Sequence, residues 1–152
     1  MDARGRARMV DVGGKPTTRR TATARGVVRL NEAAFSALAA GKLSKGDALA
    51  VARLAGILGA KKTSELVPLA HPIALDSVTV ECELEKRTRS VIVTATASTA
   101  ARTGVEMEAL TAVSVACLAI YDMAKALDRS ITIAEIVLVE KRGGRSGDYR
   151  RG

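Results

Sequence analysis

From Thr103 to Asp128 the chain is rich in Ala, Leu, Met and Glu and holds no proline and no glycine past Gly104. Strong helix formers over so long a window predict one long helix. Between Glu108 and Tyr121 it is apolar or small on nearly every side: Leu110, Ala112, Val113, Val115, Ala116, Cys117, Leu118, Ala119 and Ile120. A helix that covers one face of a sheet needs only a stripe of such residues. This one must be enclosed on several sides, by a well-filled core of its own chain or by a second subunit, and the all-round apolar character favours the subunit. Its charges sit at the two ends, Glu106 and Glu108 in the first turns, Asp122 and Lys125 near the last. At ~1.5 Å per residue, Glu108 and Asp122 are about 21 Å apart along the axis. They cannot serve one small group within one subunit. A site that uses both is assembled from two chains or takes a long ligand.

The remaining elements follow from period and punctuation. Thr21 to Leu30 reads as a strand ending at Asn31, a helix cap, and NEAAFSALAAG as a short helix stopped by Gly41. Asp47 is the next N-cap, followed by a helix with Leu49, Ala52, Arg53, Gly56 and Ala60 in period. Ala50, Ala52, Ala55, Gly56, Gly59 and Ala60 would allow it to pack closely. SVTVECELE alternates Val78, Val80, Cys82 and Leu84 against Thr79, Glu81, Glu83 and Glu85, and VIVTATAST repeats the rhythm with Val91, Val93, Ala95 and Ala97. The two predict an antiparallel hairpin. ITIAEIVLVEK is the last strand. The order strand, helix, strand, strand, helix, strand, with one extra short helix, predicts an α+β fold. It is the ferredoxin-like β-α-β-β-α-β arrangement, an antiparallel sheet with both main helices on one face.

Charge divides the 152 residues into three parts. Residues 1–25 carry a net +5, residues 141–152 a net +4, and the body between them −1. The expected organisation is a basic arm over 1–19, a ferredoxin-like domain over 20–141 and a basic, glycine-rich tail over 142–152. Basic ends can bind nucleic acid, bind a small polyphosphate, or keep the chain in solution. Phe35, Tyr121 and Tyr149 are the only aromatic residues, too few for a base-stacking platform, which argues against a nucleic-acid partner. The longest uncharged run, Ala109 to Tyr121, falls short of a membrane span, so no membrane partner is expected. MDARGRARMVDV lacks the apolar stretch of a signal peptide, which predicts a cytoplasmic protein. There a disulfide between Cys82 and Cys117 is not expected, and one histidine without a close cysteine pair makes no zinc site.

Several residues could carry chemistry, and each has an ordinary reading beside it. Asp122 and Lys125 share a helix face and can touch. They would form an acid/base pair if desolvation moved either pKa toward neutrality, or else an ordinary surface ion pair. His71 in LAHP is the sole imidazole, a catalyst or a turn residue. Lys45 precedes a helix start, where it could help hold a phosphate or simply be solvated. Lys61 and Lys62 could complement a helix dipole. KRGGRSGDYR could fold over a phosphate through glycine N–H groups, or be a disordered end.

Taken together, MVDVGGKPTTRRTA, KGDALAVARLAGILGAKKTSELVPLAHP, TGVEMEALTAVSVACLAIYDMAKALD and KRGGRSGD resemble, in order from about Met9 to Asp148, the cyclic pyranopterin monophosphate synthases of molybdenum cofactor biosynthesis. GVEMEALTA and YDM-x-KA are highly specific strings. The resemblance implies a ferredoxin-like subunit in a homohexamer, a trimer of dimers with active sites at the dimer interface. It implies a lyase whose small-molecule substrate is 3′,8-cyclo-7,8-dihydroguanosine 5′-triphosphate, made by a radical enzyme upstream, and whose products are cyclic pyranopterin monophosphate and pyrophosphate. No cofactor and no metal are implied. By motif, Asp122 and Lys125 would be the acid/base pair, and Lys45, His71, Glu106 and Glu108 would complete the pocket. Leu69, Ala70, His71, Met107 and Glu108 would line the pterin site, and Arg20, Lys61 and Lys141 would face the triphosphate. Ala70 stands where the family often has Cys, so no thiol is available there. VGGKP departs from the more acidic version common in the family. The rival readings are a non-catalytic scaffold of the same fold and a nucleic-acid-binding module that uses the basic ends.

Overall fold

Period-two sequences build the sheet. In the computed structural model, which describes residues 5–145 and 147–152, β1 is Thr18–Arg29, β2 Ser77–Glu85, β3 Ser90–Ala101, β4 Thr132–Arg142 and β5 Tyr149–Arg150. The first four residues of the expected arm and Ser146 of the expected tail lie outside the described residues. Every pairing is antiparallel, in the order β2-β3-β1-β4-β5. The expected hairpin is present, with Ser77 opposite Ser98 and Glu85 opposite Ser90. Val91, Val93, Ala95 and Ala97 are buried beside Ala22, Ala24 and Val28 of β1. The opposite face is polar, with the Thr23 and Thr96 hydroxyls 2.9 Å apart and Arg25 paired to Glu135 at 3.3 Å. One covered and one polar face is what alternation in an antiparallel sheet predicts.

The helices are α1 Glu32–Ala39, α2 Ala48–Lys61, α3 Thr63–Leu66 and α4 Glu106–Ala124. The fold is the expected ferredoxin-like α+β arrangement, with α1 as the extra short helix and α3 and β5 as additions. Both expected caps form. The Asn31 side-chain oxygen accepts the Ala34 N–H at 2.8 Å, and Asp47 Oδ1 accepts those of Leu49 and Ala50 at 3.0 Å each. Gly41 ends α1 at a positive φ of 65°.

Three expectations about extents change. β1 begins at Thr18 rather than Thr21, because Thr18 to Arg20 pair with Thr99 to Ala101. Arg53, in period with Ala52, Gly56 and Ala60 of α2, is exposed while those three are buried. The long helix is shorter than Thr103–Asp128. Beyond it, the buried Asp128 carboxylate accepts the N–H groups of Asn31 and Ser130, 2.7 Å each, and the Ser130 hydroxyl at 2.6 Å. Those bonds tie the chain after α4 to the start of α1.

The chain itself encloses two sides of α4. Val113 and Cys117 lie over Gly26 of β1, and the Ala112 carbonyl and Ala116 lie over Gly56 of α2. A Cβ on Gly59 would stand 2.8 Å from Val115 Cγ2, so the small residues of α2 do set a close approach. By length and composition α4 could cross a bilayer, but here it is packed as a core helix between the sheet and α2. The cost of that packing appears on the outside. Leu54 and Leu58 of α2 point away from the core, 70% and 55% exposed, with Val51 beside them and Leu118 of α4 at 58%, while Leu49 packs against the core.

Candidate active site

At its N-terminal end α4 meets the loop that follows α3, and a cleft of about 420 Å³ opens between them. Leu69, Ala70 and His71 come from the loop, Glu106, Met107 and Glu108 from the first turns of α4, with Thr103, Gly104 and Val10 completing the wall. Six of the residues expected in the site are thus brought together. Glu108 is only 4% exposed. Burial pushes its carboxyl above the usual range, and the neighbouring Glu106 carboxylate adds to this, against the opposing pull of its own backbone N–H. Glu106 instead pairs with Lys141 at 3.2 Å, both side chains being largely buried.

A second hollow, about 350 Å³, adjoins the cleft and shares Thr103, Gly104 and Glu106 with it. Its other walls are Lys15, Arg20, Arg102 and Arg145. Sheet register gathers these cations: Thr18 faces Ala101 across one ladder and Thr21 faces Arg142 across the other. Arg20 is held in place by its donors, Nε to the Ala101 carbonyl (3.0 Å) and Nη2 to that of Arg102 (3.3 Å). The tail turns back through Gly143 and Gly144, both at positive φ, and the Asp148 carboxylate accepts the Gly143 N–H at 2.9 Å. A Cβ on Gly143 would overlap the backbone carbonyl of Arg19, so glycine is required there by space as well as by φ.

The other end of α4 carries a different group. Lys45 donates to Asp122 Oδ2 at 2.6 Å and to the Asp122 carbonyl at 3.1 Å, while Lys125 pairs with Oδ1 at 2.7 Å. All three side chains are about half exposed. The hydrogen bond from Lys125, then that from Lys45, lowers the Asp122 carboxyl to about 2, and the same contact with Asp122 raises Lys125. In a lone subunit the pair therefore moves away from neutrality, because the two charges are mutually satisfied and water still reaches them. The helix between the two ends is unbroken from Glu106 to Ala124, so the separation of about 21 Å stands.

Within one subunit, then, Leu69, Ala70, His71, Glu106, Met107 and Glu108 share the cleft, with Arg20 and Lys141 next to it. Lys45, Asp122 and Lys125 form the distant triad, and Lys61, exposed at the end of α2, lines neither hollow. Lys15, Arg102 and Arg145 were not singled out in the sequence. Each stands beside or one residue away from glycine or threonine in a basic stretch, a signal too common to choose them without the sheet register.

The family model described as "MoaC family" matches residues 9–144. The chain belongs to the MoaC family. That match takes in the arm from Met9, the loop, both ends of α4 and the turn at Gly144, so the cleft and the distant triad lie inside it, with Arg145 and Asp148 just beyond. Among similar proteins, the cyclic pyranopterin monophosphate synthase of Parvibaculum lavamentivorans is 55% identical over 150 residues, 99% of this chain and 94% of its own. Its counterpart from a Roseiflexus species is 56% identical, covering 98% and 94%. That of Thermomicrobium roseum is 53% identical, covering 99% and 91%.

Proposed function

We propose that the chain is a cyclic pyranopterin monophosphate synthase that works in the cytoplasm as a homohexamer, a trimer of dimers, each active site shared by two subunits. It is a lyase of molybdenum cofactor biosynthesis. It converts 3′,8-cyclo-7,8-dihydroguanosine 5′-triphosphate into cyclic pyranopterin monophosphate and pyrophosphate. The observation that carries the shared site is the distance between the two ends of α4. The cleft with Glu108 and the triad around Asp122 cannot reach one substrate from one subunit.

The cleft suits the base. Leu69 and Met107 offer apolar surface, Ala70 a backbone, and Glu108, whose carboxyl burial pushes above the usual range, a polar group for the ring edge. His71 stands at the same wall. Asp122 and Lys125 move the protons of ring opening and pterin closure, with Lys45 holding Asp122. Burying the triad under a partner's cleft would raise Asp122 and lower Lys125, drawing both toward the working range of an acid/base pair. The exposed apolar row of Val51, Leu54, Leu58 and Leu118 supports such a contact. A two-fold axis passing near Val115, midway between Glu108 and Asp122, would lay α4 antiparallel to its partner and bring unlike ends together. Lys61 would then approach the triphosphate from the other subunit, while Arg20 and Lys141 face it from their own.

Cyclisation needs a substrate hydroxyl oxygen to attack the α-phosphorus while the bond to the bridging α–β oxygen breaks. The hydroxyl proton passes to a base, and the electrons of the broken bond leave with pyrophosphate. The test is turnover with the purified cyclic dihydro-triphosphate, followed by pyrophosphate release and by pterin fluorescence after oxidation. Wild type gives both signals, and Asp122→Asn loses at least about 100-fold while keeping its oligomer. A silent, correctly assembled wild type would overturn the reading, and an active Asp122→Asn would remove that residue from the mechanism.

A further inference from the structure

Among the described residues two carboxyl groups are buried, Glu108 in the cleft and Asp128, which lines neither hollow and stands outside the triad. The two oxygens of Asp128 serve different partners. Oδ1 accepts the Ser130 N–H and hydroxyl and closes a local turn. Oδ2 accepts the backbone N–H of Asn31, 97 positions away. Asn31 answers with its own side chain: Nδ2 donates to the Leu127 carbonyl at 3.2 Å, while Oδ1 caps α1. A turn needs only the Oδ1 half. The Oδ2 half joins the two segments that carry the lysines of the triad. On one side is the end of α4, where Lys125 is the C-cap and the N–H groups of Leu127 and Asp128 return to the Ala124 carbonyl. On the other is α1, which buries Ala34, Phe35 and Leu38 and passes through the buried Leu43 into a turn that holds Lys45. That turn is closed by the Gly46 N–H on the Leu43 carbonyl at 3.0 Å. Lys45 then reaches back to Asp122, so the path from Asp122 through Asp128, Asn31, α1 and Lys45 is a closed ring.

We propose that Asp128 and Asn31 are positioning residues for the triad: their buried latch fixes α1 against the end of α4 and so sets where the Lys45 and Lys125 ammonium groups stand beside Asp122. The inference rests on the synthase reading for what the triad does, and on geometry alone for what holds it. An acid/base group works only within about 0.5 Å of its productive position. The triad cannot enforce that by itself, because all three side chains are about half exposed and an exposed ion pair holds long side chains weakly. Its precision comes from the backbone beneath it. α2 fixes the far side of the Lys45 turn through the Asp47 cap, and α1 fixes the near side. α1 is a helix of eight residues, and the latch anchors its first turn to the segment that follows Lys125. Bonds shielded from water hold that anchor where the surface pair cannot.

Asp128→Asn separates the two halves of the carboxylate. Its remaining oxygen still accepts from Ser130, and its amide faces the Asn31 N–H, which loses its acceptor. Ser130→Ala is the matched control, since it weakens the turn and leaves both Asn31 bonds. Asn31→Ser keeps a cap on α1 but is too short to reach the Leu127 carbonyl, a milder break should Asp128→Asn fail to assemble. Two readouts are taken on the assembled protein. Trace acylation by acetic anhydride, read by mass spectrometry, reports how firmly each lysine is held, and turnover of the cyclic dihydro-triphosphate gives kcat and KM. In Asp128→Asn, Lys45 and Lys125 are acylated several times faster than in wild type, while Lys62, paired with Glu65 elsewhere, keeps its rate. The same variant loses on the order of tenfold in kcat with KM nearly unchanged. Asn31→Ser moves both readouts the same way by less, and Ser130→Ala leaves both near wild type at a lower Tm. Latch variants that lose thermal stability alone, or a Ser130→Ala that loses as much kcat as Asp128→Asn, would make the latch merely structural and overturn the proposal. So would wild-type acylation of both lysines in the latch variants. Faster acylation in a chain that never turns over the substrate would uphold the latch and sink the synthase reading instead.

Discussion

Two carboxyl groups on one helix are driven in opposite directions. In the lone subunit Lys125 and Lys45 hold the Asp122 carboxyl at about 2, whereas burial pushes that of Glu108 above the ordinary glutamate range. The shift at Glu108 also fixes the sign of a stability effect. The folded chain binds a proton that the unfolded chain gives up, so stability falls as pH rises from the unfolded toward the folded pKa. Glu108→Gln removes this dependence. Above that window its Tm should exceed that of wild type, by about 2–4 °C for each kcal/mol regained, while turnover falls. Thermal scans on both sides of the glutamate range check it, and parallel curves for the two proteins would contradict the burial argument.

At the scale of elements, the contact between α2 and α4 depends on side chains that are not there. Gly56 and Gly59 let α2 lie directly on the backbone and small residues of α4. Gly59→Val would drive its Cβ into Val115, an overpacking that costs about 1–3 kcal/mol. Chemical denaturation should show that loss, and an unchanged midpoint would mean that the helices can separate without penalty. The glycines and alanines of α2 were legible as a means of close packing. That Leu54 and Leu58 face outward was not, because a helix so rich in apolar residues on all sides has no unique buried stripe in its sequence. Only α4 lying across Ala52, Gly56 and Ala60 decides which side is inside. Asp128 gives a similar lesson. Its helical neighbourhood suggests a last turn, yet its carboxylate is committed to Asn31 and Ser130, so α4 ends at Ala124.

For the whole molecule, a shared site makes a prediction that an ordinary enzyme would not meet. Glu108→Gln and Asp122→Asn chains, each inactive alone, should regain activity when mixed and allowed to exchange subunits. One site in each mixed dimer then receives both native residues, giving up to about a quarter of wild-type turnover. No recovery after verified exchange would mean that each site draws Glu108 and Asp122 from the same chain. What the sequence determined by itself was the long helix with unlike charges at its ends, the alternating strands and their order, both helix caps, and the family strings. All of these are local, written in propensity, period and short-range hydrogen bonding. It also named most of the cleft, because LAHP and GVEME are contiguous strings. The tertiary structure decided what local rules cannot express. The register of β1 against β3 and β4 brings Lys15, Arg20, Arg102 and Arg145, scattered over 131 positions, to one end of the sheet. Alternation tells which face a residue takes but not which residue of a distant strand lies opposite, and that choice made the basic hollow.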